Sequence, residues 1–389
     1  MIALNQISLF YTVLTVVTVV IAAIPRTDYD VIVVGGGPSG LSAASGLSRV
    51  LRSVALFDSG VYRNGPTRNM HDVIGSDGAV PSEFRNNARK GISRYQKTSF
   101  IDKNVTSIEN NMDGTFIATI DGGKTYTARK VILGTGIKDD IPNTPGLQKA
   151  FGKGIYWCPW CDGYEHRNQT MGILGPMSEI YGSIRELHST LNKDIVAYVN
   201  GTDTAEQKAK LTKEHPNWQN VLKAYNIRVN NKLILNITRT QDGGQHQDPV
   251  TGQMFDKFRI FFTDGSYEER DAFITNFPTE QRSHLPSQMG LQMIGPKINT
   301  TRPGLRTSLD GVWGVGDANS DDSTNVPHAM ASGKKAAVYC HVELAQEELD
   351  ADASAVQGRS MLSRRAMEEE TERKMGSDIE DLYERLRRA

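Results

Sequence analysis

The chain has 389 residues, of which 38% are apolar and 23% are charged, and its 44 Lys and Arg nearly balance its 45 Asp and Glu. This length predicts two domains, and the apolar fraction allows a sizeable core, which excludes a globally disordered chain. The net charge of −1 gives no electrostatic basis for binding nucleic acid, so we expect no nucleic-acid partner.

The N-terminal segment is strongly apolar, and residues 9–24 are an unbroken run of apolar residues, Tyr and Thr. Its length suits the core of a signal peptide, so residues 1–26 are assigned to a signal peptide or a signal anchor. An anchor would associate the protein with a membrane through residues 7–24. If this segment is functional, the expected location is the secretory pathway or a membrane; otherwise it is the cytoplasm. The structural alternative is that the segment forms a buried N-terminal strand. Five Asn-x-Ser/Thr sequons are compatible with secretion, at Asn104, Asn168, Asn200, Asn236 and Asn299.

A glycine motif follows the first predicted strand, residues 31–34, whose continuous apolar run is typical of a strand buried on both faces. Gly35, Gly37 and Gly40 match the pattern G-x-G-x-x-G. The first glycine would permit a tight turn, the second would let the backbone approach a pyrophosphate, and the third would let a helix pack close to the strand. The motif therefore predicts dinucleotide binding.

The elements after the glycines support the same prediction. A helix over residues 38–51 would direct its N-terminal end, with Pro38 and Ser39, at the phosphates. A second strand over residues 53–57 then ends at Asp58, which is placed to bind a ribose hydroxyl. Further along, residues 130–136 predict a strand that enters a glycine turn containing Thr135 and Gly136.

Cys158 and Cys161 are separated by two residues in a chain with only three cysteines. Such a pair can form a reversible disulfide and tends to lower the pKa of one thiol, and beside a flavin it can exchange electrons with the ring. Asp162 follows directly and could move the proton that thiol chemistry requires. The alternative is half of a zinc site, but Cys340 and His166 are isolated, so the motif favours redox chemistry.

A second strand and glycine turn starts near residue 171 and departs from the dinucleotide pattern. Gly175 is present, but Met177 and Ile180 stand where the second and third glycines belong. We expect the Met177 side chain to obstruct a pyrophosphate. The next strand is followed by Asn200-Gly201-Thr202, with no cation for a 2′-phosphate. This half of the sequence therefore predicts a vestigial nicotinamide site, and use of NADPH is doubtful.

A third nucleotide-type strand over residues 311–317 ends in Gly316-Asp317, and Asp317 could bind the ribityl or pyrophosphate part of a flavin. A helix is predicted from about residue 325 to 342, with Val326 and His328 on its first turn, and its N-terminus would favour a reduced, anionic flavin ring. Residues 346–389 are rich in charge, and residues 363–388 predict a charged helix. Its apolar positions are irregularly spaced, which favours a mobile tail over a coiled coil.

The order G-x-G-x-x-G, T-G, C-x-x-C-D-G and G-x-G-D over about residues 29–345 resembles the low-molecular-weight thioredoxin reductase family of flavoproteins. Within that family, three stretches resemble the fungal dithiol oxidases of the gliotoxin type. They are Cys158-Pro159-Trp160-Cys161 with Gly163-Tyr164-Glu165 after Asp162, then residues 63–75, and then residues 325–333. That subgroup often has His after the second cysteine, whereas Asp162 is the residue that true thioredoxin reductases carry.

The resemblance implies an α/β protein with two Rossmann-like nucleotide-binding domains of the three-layer ββα type, the second inserted in the first. The implied boundaries are 27–150 and 299–345 for the two parts of an FAD domain and 151–298 for the inserted NAD(P)-binding-like domain, with a charged tail after 345. It also implies a homodimer. Its cofactor-binding residues would include Arg63, Asn69, His71 and Val326.

The resemblance further implies that Cys161 faces the flavin and Cys158 exchanges with substrate. Protons would be managed by Asp162 or by a histidine, with His328 and His71 as candidates. We expect FAD-dependent oxidation of a small-molecule dithiol to a disulfide with O2 as acceptor, in secondary-metabolite biosynthesis. The alternatives are an NADPH-dependent reductase of thioredoxin or a small disulfide, and a noncatalytic flavoprotein.

Overall fold

The structure is a computed structural model that describes residues 24–321, 324–356 and 364–375. Most of the predicted signal peptide or anchor, residues 1–23, lies outside the described residues. Within those three ranges, no helix combines the length and the apolar composition needed to cross a bilayer.

The first unit is built on a sheet of seven strands, numbered along the whole chain: β1 Tyr29–Val34, β2 Val54–Phe57, β3 Thr98–Ile101, β4 Val105–Asn110, β5 Phe116–Ile120, β6 Thr125–Leu133 and β19 Val312–Gly314. Their order is β3-β2-β1-β6-β5-β4, and β19 pairs with the second half of β6. The strands β1, β2, β3, β6 and β19 are parallel, whereas β4 and β5 are antiparallel. The last four residues of β1 are buried, as a strand covered on both faces requires.

Helices cover one face of this sheet: α1 Pro38–Arg49, α2 Pro81–Ser93, α9 Val326–Val356 and, against α9, α10 Arg364–Met375. The helices α1 and α9 pack closely because Gly46 has no side chain, and a Cβ there would lie 2.9 Å from the Cβ of Ala337. Leu47 and Cys340 are buried in the core between these helices and the sheet. The glycine motif lies between the carboxyl end of β1 and the start of α1.

The inserted unit has a parallel sheet of order β11-β10-β9-β15-β8 and a separate antiparallel sheet of three strands. These strands are β8 Ile155–Tyr156, β9 Met171–Leu174, β10 Ile195–Tyr198, β11 Arg228–Asn230, β12 Ile234–Gln241, β13 Lys257–Phe262, β14 Tyr267–Arg270 and β15 Ala272–Thr275. Its helices are α3 Leu147–Ala150, α4 Pro159–Asp162, α5 Ile180–Leu187, α6 Ala205–Glu214 and α7 Trp218–Ala224. The predicted α/β fold with two Rossmann-like units, one inserted in the other, is confirmed.

Two short antiparallel strands carry the chain between the units, β7 Ile137–Asp139 on the way out and β16 Thr279–Gln281 on the way back. The returning chain forms α8 Leu285–Gln288, β17 Met293–Ile294 and β18 Lys297–Ile298. Leu285 and Ile298 are buried in the core of the first unit, whereas Leu147 packs in the inserted unit. The boundaries at residues 150 and 298 stay predictions, and we propose that the chain passes between the units at β7 and β16.

The prediction of a mobile tail after residue 345 is wrong for the described residues. The helix α9 runs to Val356 instead of ending near residue 342, and α10 packs against it. The acidic residues of α9 are ion-pair partners of cations that are almost fully buried. Lys130 Nζ lies 2.6 Å from Glu343 Oε1, and Arg129 Nη1 lies 2.6 Å from Glu348 Oε1. The acidic residues that led us to predict a mobile tail therefore attach α9 to the sheet through ion pairs.

We expect Lys130→Met to lower the free energy of unfolding by roughly 3 kcal/mol, because removing one partner of a buried ion pair leaves the other charge poorly compensated. Urea denaturation followed by tryptophan fluorescence measures the change. The control is Lys138→Met, which removes an exposed pair with Glu280 and should leave the midpoint almost unchanged. Equal destabilisation by the two variants would contradict the stabilising role of the buried pair.

Candidate active site

A cavity of about 410 Å³ opens at the carboxyl ends of β1, β6 and β19. Ligands of open α/β sheets bind at this edge. Asn104, the first of the five sequons, also lines it. The structure brings to this lining most of the residues that the sequence assigned to the cofactor, together with one cysteine: Gly35, Gly37, Pro38, Ser39, Asp58, Arg63, Thr135, Gly136, Asp317, Val326 and Cys161.

The glycine loop leaves open space where it meets the cavity. Gly35 has a φ of +114°, which side-chain-bearing residues rarely adopt. A Cβ on Gly40 would lie 1.9 Å from the carbonyl oxygen of Gly35, and one on Gly316 would lie 2.6 Å from Ser39 Oγ, so both glycines permit close packing behind the cavity. A Cβ on Gly37 would meet nothing within 4 Å. Gly37 therefore leaves the room that a bound pyrophosphate needs.

Asp58 is buried at the end of β2 and accepts two hydrogen bonds from its own loop. The backbone N–H of Gly60 donates to Oδ1 at 2.9 Å, and the hydroxyl of Tyr62 donates to Oδ2 at 2.6 Å. Burial and the neighbouring Asp58 carboxylate raise the pKa of Tyr62 to about 12. A carboxylate has about four acceptor sites, so Asp58 can still accept from a ribose hydroxyl.

Arg63 connects the two units at the cavity. Its Nη2 and Nε donate to the Asp139 carboxylate of β7 at 2.7 and 3.0 Å, and its Nη1 donates to Asp317 Oδ2 at 2.9 Å. Its guanidinium carbon also lies 5.0 Å from the ring centroid of Trp157. Burial lowers the pKa of Arg63, but hydrogen bonds and charges of the two carboxylates outweigh burial and raise it overall. Burial raises the pKa of Asp317, and Arg63 opposes that increase.

The residues of the cavity fit FAD. Thr135 Oγ1 is buried, and within the described part of the chain it has no hydrogen-bond partner, so a ligand can satisfy it. Arg282 lines the cavity and offers a cation to a pyrophosphate. Together with the open space at Gly37, these groups would hold the dinucleotide, while Cys161 stands at the same cavity.

The cysteine pair forms a disulfide at the start of α4, with 5.2 Å between the two Cα atoms. Cys161 and Trp157 line the cavity, whereas Cys158 does not. Trp160, between the two cysteines, is 64% exposed. The two sulfur atoms therefore have different surroundings, and this arrangement is compatible with Cys161 serving the flavin and Cys158 the substrate.

Asp162 lies half-buried directly after Cys161. Burial, followed by the charges of Glu165 and Asp256, raises the pKa of Asp162 to about 7, and the charge of Arg68 opposes the increase. A carboxyl group with a pKa near neutrality can both accept and return a proton at working pH. The position and the pKa make Asp162 the strongest candidate for proton transfer at the disulfide.

Asn69, His71 and His328, which the sequence also assigned to the site, lie outside the cavity lining, so their roles stay predictions. The Asn69 amide donates to the carbonyl oxygen of Gly78 at 2.8 Å. His71 points to the Glu165 carboxylate, with 3.6 Å between Nε2 and Oε1. His328 is exposed on the first turn of α9.

Several residues of the cavity and of the disulfide's surroundings were not predicted from the sequence. Arg282 and Trp157 stand in no recognisable motif, and only the fold brings them to the cavity. Tyr62 could have been considered because it lies four residues after Asp58. Glu165 carried a usable indication, since it is three residues after Asp162, a spacing that places two side chains on one side of a helical turn.

A second cavity of about 190 Å³ lies at the carboxyl ends of β9 and β10, where the inserted unit would hold a dinucleotide. Its lining among the described residues includes Gly175, Asn200 and Thr202 but no Lys or Arg. The predicted obstruction by the Met177 side chain is wrong, because that side chain is 1% exposed and packs in the core of the unit. Its backbone N–H instead donates to Thr202 Oγ1 at 2.9 Å.

Residues 29–333 match the sequence family described as pyridine nucleotide-disulphide oxidoreductase. The chain belongs to this family. It is 52% identical over 369 residues to a probable thioredoxin reductase of Arthroderma benhamiae, covering 92% of this chain and 91% of that protein. It is 31% identical over 329 residues to the thioredoxin reductase aclD of Aspergillus oryzae, covering 82% and 98%.

Solved structures of the same architecture include HlmI, with a TM-score of 0.70 and 27% identity over 85% of this chain and 95% of that one. This pyridine nucleotide-disulphide oxidoreductase is therefore a thioredoxin-reductase-like flavin enzyme that acts on thiol or disulfide groups, and FAD is its cofactor. The predicted family is confirmed.

We expect Gly37→Val to fold but to lose affinity for FAD by about tenfold or more, the effect of ~1.4 kcal/mol, because the added side chain fills space at the cavity. Titration of the apoprotein with FAD, followed by flavin fluorescence, measures the affinity. The matched control is Gly91→Ala in α2, where a Cβ also meets nothing within 4 Å. Unchanged affinity in Gly37→Val would remove this glycine from the cofactor site.

We expect the rate of flavin reduction by dithiothreitol to rise through an ionisation near pH 7, because the Asp162 carboxylate present above its pKa accepts the thiol proton. Asp162→Asn should lower this rate about 100-fold and abolish that ionisation. Anaerobic stopped-flow absorbance across neutral pH measures both. If the inflection near pH 7 persists in Asp162→Asn, the ionisation belongs to another group.

Proposed function

We propose that this enzyme oxidises a small-molecule dithiol to a disulfide through Cys158 and Cys161, and that the electrons pass through FAD to O2. The observation that carries the proposal is the second cavity, where the described lining offers no cation to a nicotinamide dinucleotide. The absence of a cation removes the strongest available interaction with a 2′-phosphate.

The loop between β9 and α5 of the inserted unit also argues against binding of a nicotinamide dinucleotide. The Met177 N–H, which a phosphate-binding loop would offer to its ligand, already donates to Thr202 Oγ1. Glu179 precedes α5, so a carboxylate stands at the N-terminus of the helix that should face the pyrophosphate. Its charge is paired with Lys210, with 2.6 Å between Oε1 and Nζ. This helix end therefore carries a carboxylate that already binds a cation of the chain, in the place where a phosphate would be held.

The cysteine pair supplies the exchange chemistry. A substrate thiolate attacks the Cys158 sulfur, the Cys158–Cys161 bond breaks, and Cys161 leaves as a thiolate. The second substrate thiol then gives its proton to Asp162 and attacks the mixed disulfide, and the product disulfide leaves as Cys158 becomes a thiolate. FAD, when bound, supplies the two-electron chemistry that returns the cysteines to a disulfide.

The relatives allow the proposal to extend to secondary metabolism, because the C-P-x-C motif followed by Gly-Tyr-Glu resembles dithiol oxidases of the gliotoxin type. The chain is also similar to fungal proteins named thioredoxin reductase, tcpT of Claviceps purpurea at 31% and sirT of Leptosphaeria maculans at 32% identity. We further propose a homodimer, with secretion or membrane attachment through the N-terminal segment.

One observation favours a second function, an NADPH-dependent disulfide reductase. Asp162 follows the second cysteine, as in true thioredoxin reductases, and the relatives carry that name. A reductase would need NADPH to reduce its flavin in the absence of any thiol. The two functions therefore differ in which compound supplies the electrons.

We expect dithiothreitol to bleach the flavin under anaerobic mixing, NADPH to leave it oxidised, and air to restore the oxidised spectrum with formation of hydrogen peroxide. Stopped-flow absorbance and an oxygen electrode measure the three outcomes. Cys158→Ser is the control, because it should stop dithiol turnover and retain bound flavin. Rapid bleaching by NADPH alone would establish the reductase instead.

A further inference from the structure

Behind the disulfide, a buried carboxylate of the inserted unit meets a histidine of the first unit. Glu165 is 7% exposed, and its Oε1 lies 3.6 Å from His71 Nε2. Glu165 follows Asp162 by three residues on the turn that continues α4, so both carboxyl groups belong to the same local structure. A buried carboxylate beside a histidine forms a pair that can exchange a proton after small rotations.

The contact continues outward to solvent. His71 Nδ1 lies 3.5 Å from Asp77 Oδ2, and the Asp77 side chain is 66% exposed, whereas that of His71 is 16% exposed. The sequence of groups is therefore Asp162 beside Cys161, buried Glu165, partly buried His71 and exposed Asp77. Exposure to water falls from half-buried Asp162 to buried Glu165 and then rises through His71 to Asp77.

Charged groups of both units surround the carboxyl groups of Asp162 and Glu165. Burial raises the pKa of Glu165, and the charge of His71 opposes the increase. The titratable or charged groups that act on Asp162, Glu165 and the adjoining buried residues are Tyr156, His166, Arg68, Asp256, His71, Asp77 and Arg167. The cation Arg68 is held by Asp256 through Nη1 and Nη2 at 2.9 and 2.8 Å, so it stays at the carboxyl pair and does not move with the proton.

Chemistry at the disulfide requires an exit for a proton. Oxidation of a dithiol releases two electrons and two protons, and the flavin accepts the two electrons and one proton. One proton must therefore reach solvent in each reductive half-reaction. Asp162 is half-buried, and a direct exchange with bulk water would have to compete with the groups packed around it.

We propose that Glu165 and His71 carry the proton from Asp162 to the surface at Asp77. The inference rests on the proposed role of Asp162 as the group that accepts the thiol proton. Asp162 becomes protonated and passes a proton to Glu165, Glu165 passes one to His71 Nε2, and His71 Nδ1 releases one towards Asp77 and water. The two carboxyl groups return to their starting state, the imidazole regains its first tautomer by proton exchange with water, and the net result is one proton delivered to solvent.

The test is anaerobic mixing of the holoenzyme with dithiothreitol in weak buffer that contains a pH-indicator dye. In the wild type, proton appearance should coincide with flavin bleaching. In His71→Gln, proton appearance should slow about tenfold or more, and added imidazole should restore it. His188→Gln, a histidine that contacts the ring of Tyr225 instead, is the matched control and should behave as the wild type.

A second variant separates proton transfer from folding. Glu165→Gln removes a carboxylate of the relay, so proton appearance should lag behind flavin bleaching in this variant too, while an unchanged flavin spectrum shows that the variant is folded. Coincident proton release and bleaching in His71→Gln, without any effect of imidazole, would overturn the relay. Loss of the O2 reaction alone would overturn the proposed oxidase and leave the relay standing.

Discussion

The ion pair between Arg68 of the first unit and Asp256 of the inserted unit is the contact on which the site depends. Asp256 is fully buried, and Arg68 also binds Asp242 at 2.5 Å. Removing the Arg68 guanidinium would leave a buried carboxylate without its cation, a loss of roughly 3–5 kcal/mol. Arg63 adds a parallel connection through Asp139. Together these guanidinium groups hold Cys161 at the flavin cavity.

The same contacts determine the charges around the disulfide. Carboxyl groups gather behind the cysteines, and burial raises the pKa of both Asp162 and Glu165. Arg68 limits that increase for Asp162, so the pKa stays near 7 instead of rising further. The cation that joins the units therefore also tunes the acid beside the sulfur. Structure and chemistry are coupled here through one side chain.

Local motifs predicted part of this site, and tertiary packing determined the rest. The glycine loop, Asp58, Thr135 and the cysteine pair could be read because each has a short-range chemical requirement. The direction of Met177 could not, since only the fold shows that its side chain enters the core. The acidic residues of α9 were misread because their buried partners, including Lys130, lie more than 200 positions earlier. His328 and Asn69 stay predictions, because both lie near a motif in sequence but outside the cavity lining.

The position of Asn104 affects how the protein could be made in a glycosylating compartment. This asparagine lines the flavin cavity, so an oligosaccharide attached to it would compete with the cofactor for this space. Cofactor insertion would have to come before the transferase reaches the sequon, or the sugar would yield a colourless protein. The order of maturation steps, and not only the amino-acid sequence, would then decide whether the secreted protein becomes a flavoenzyme.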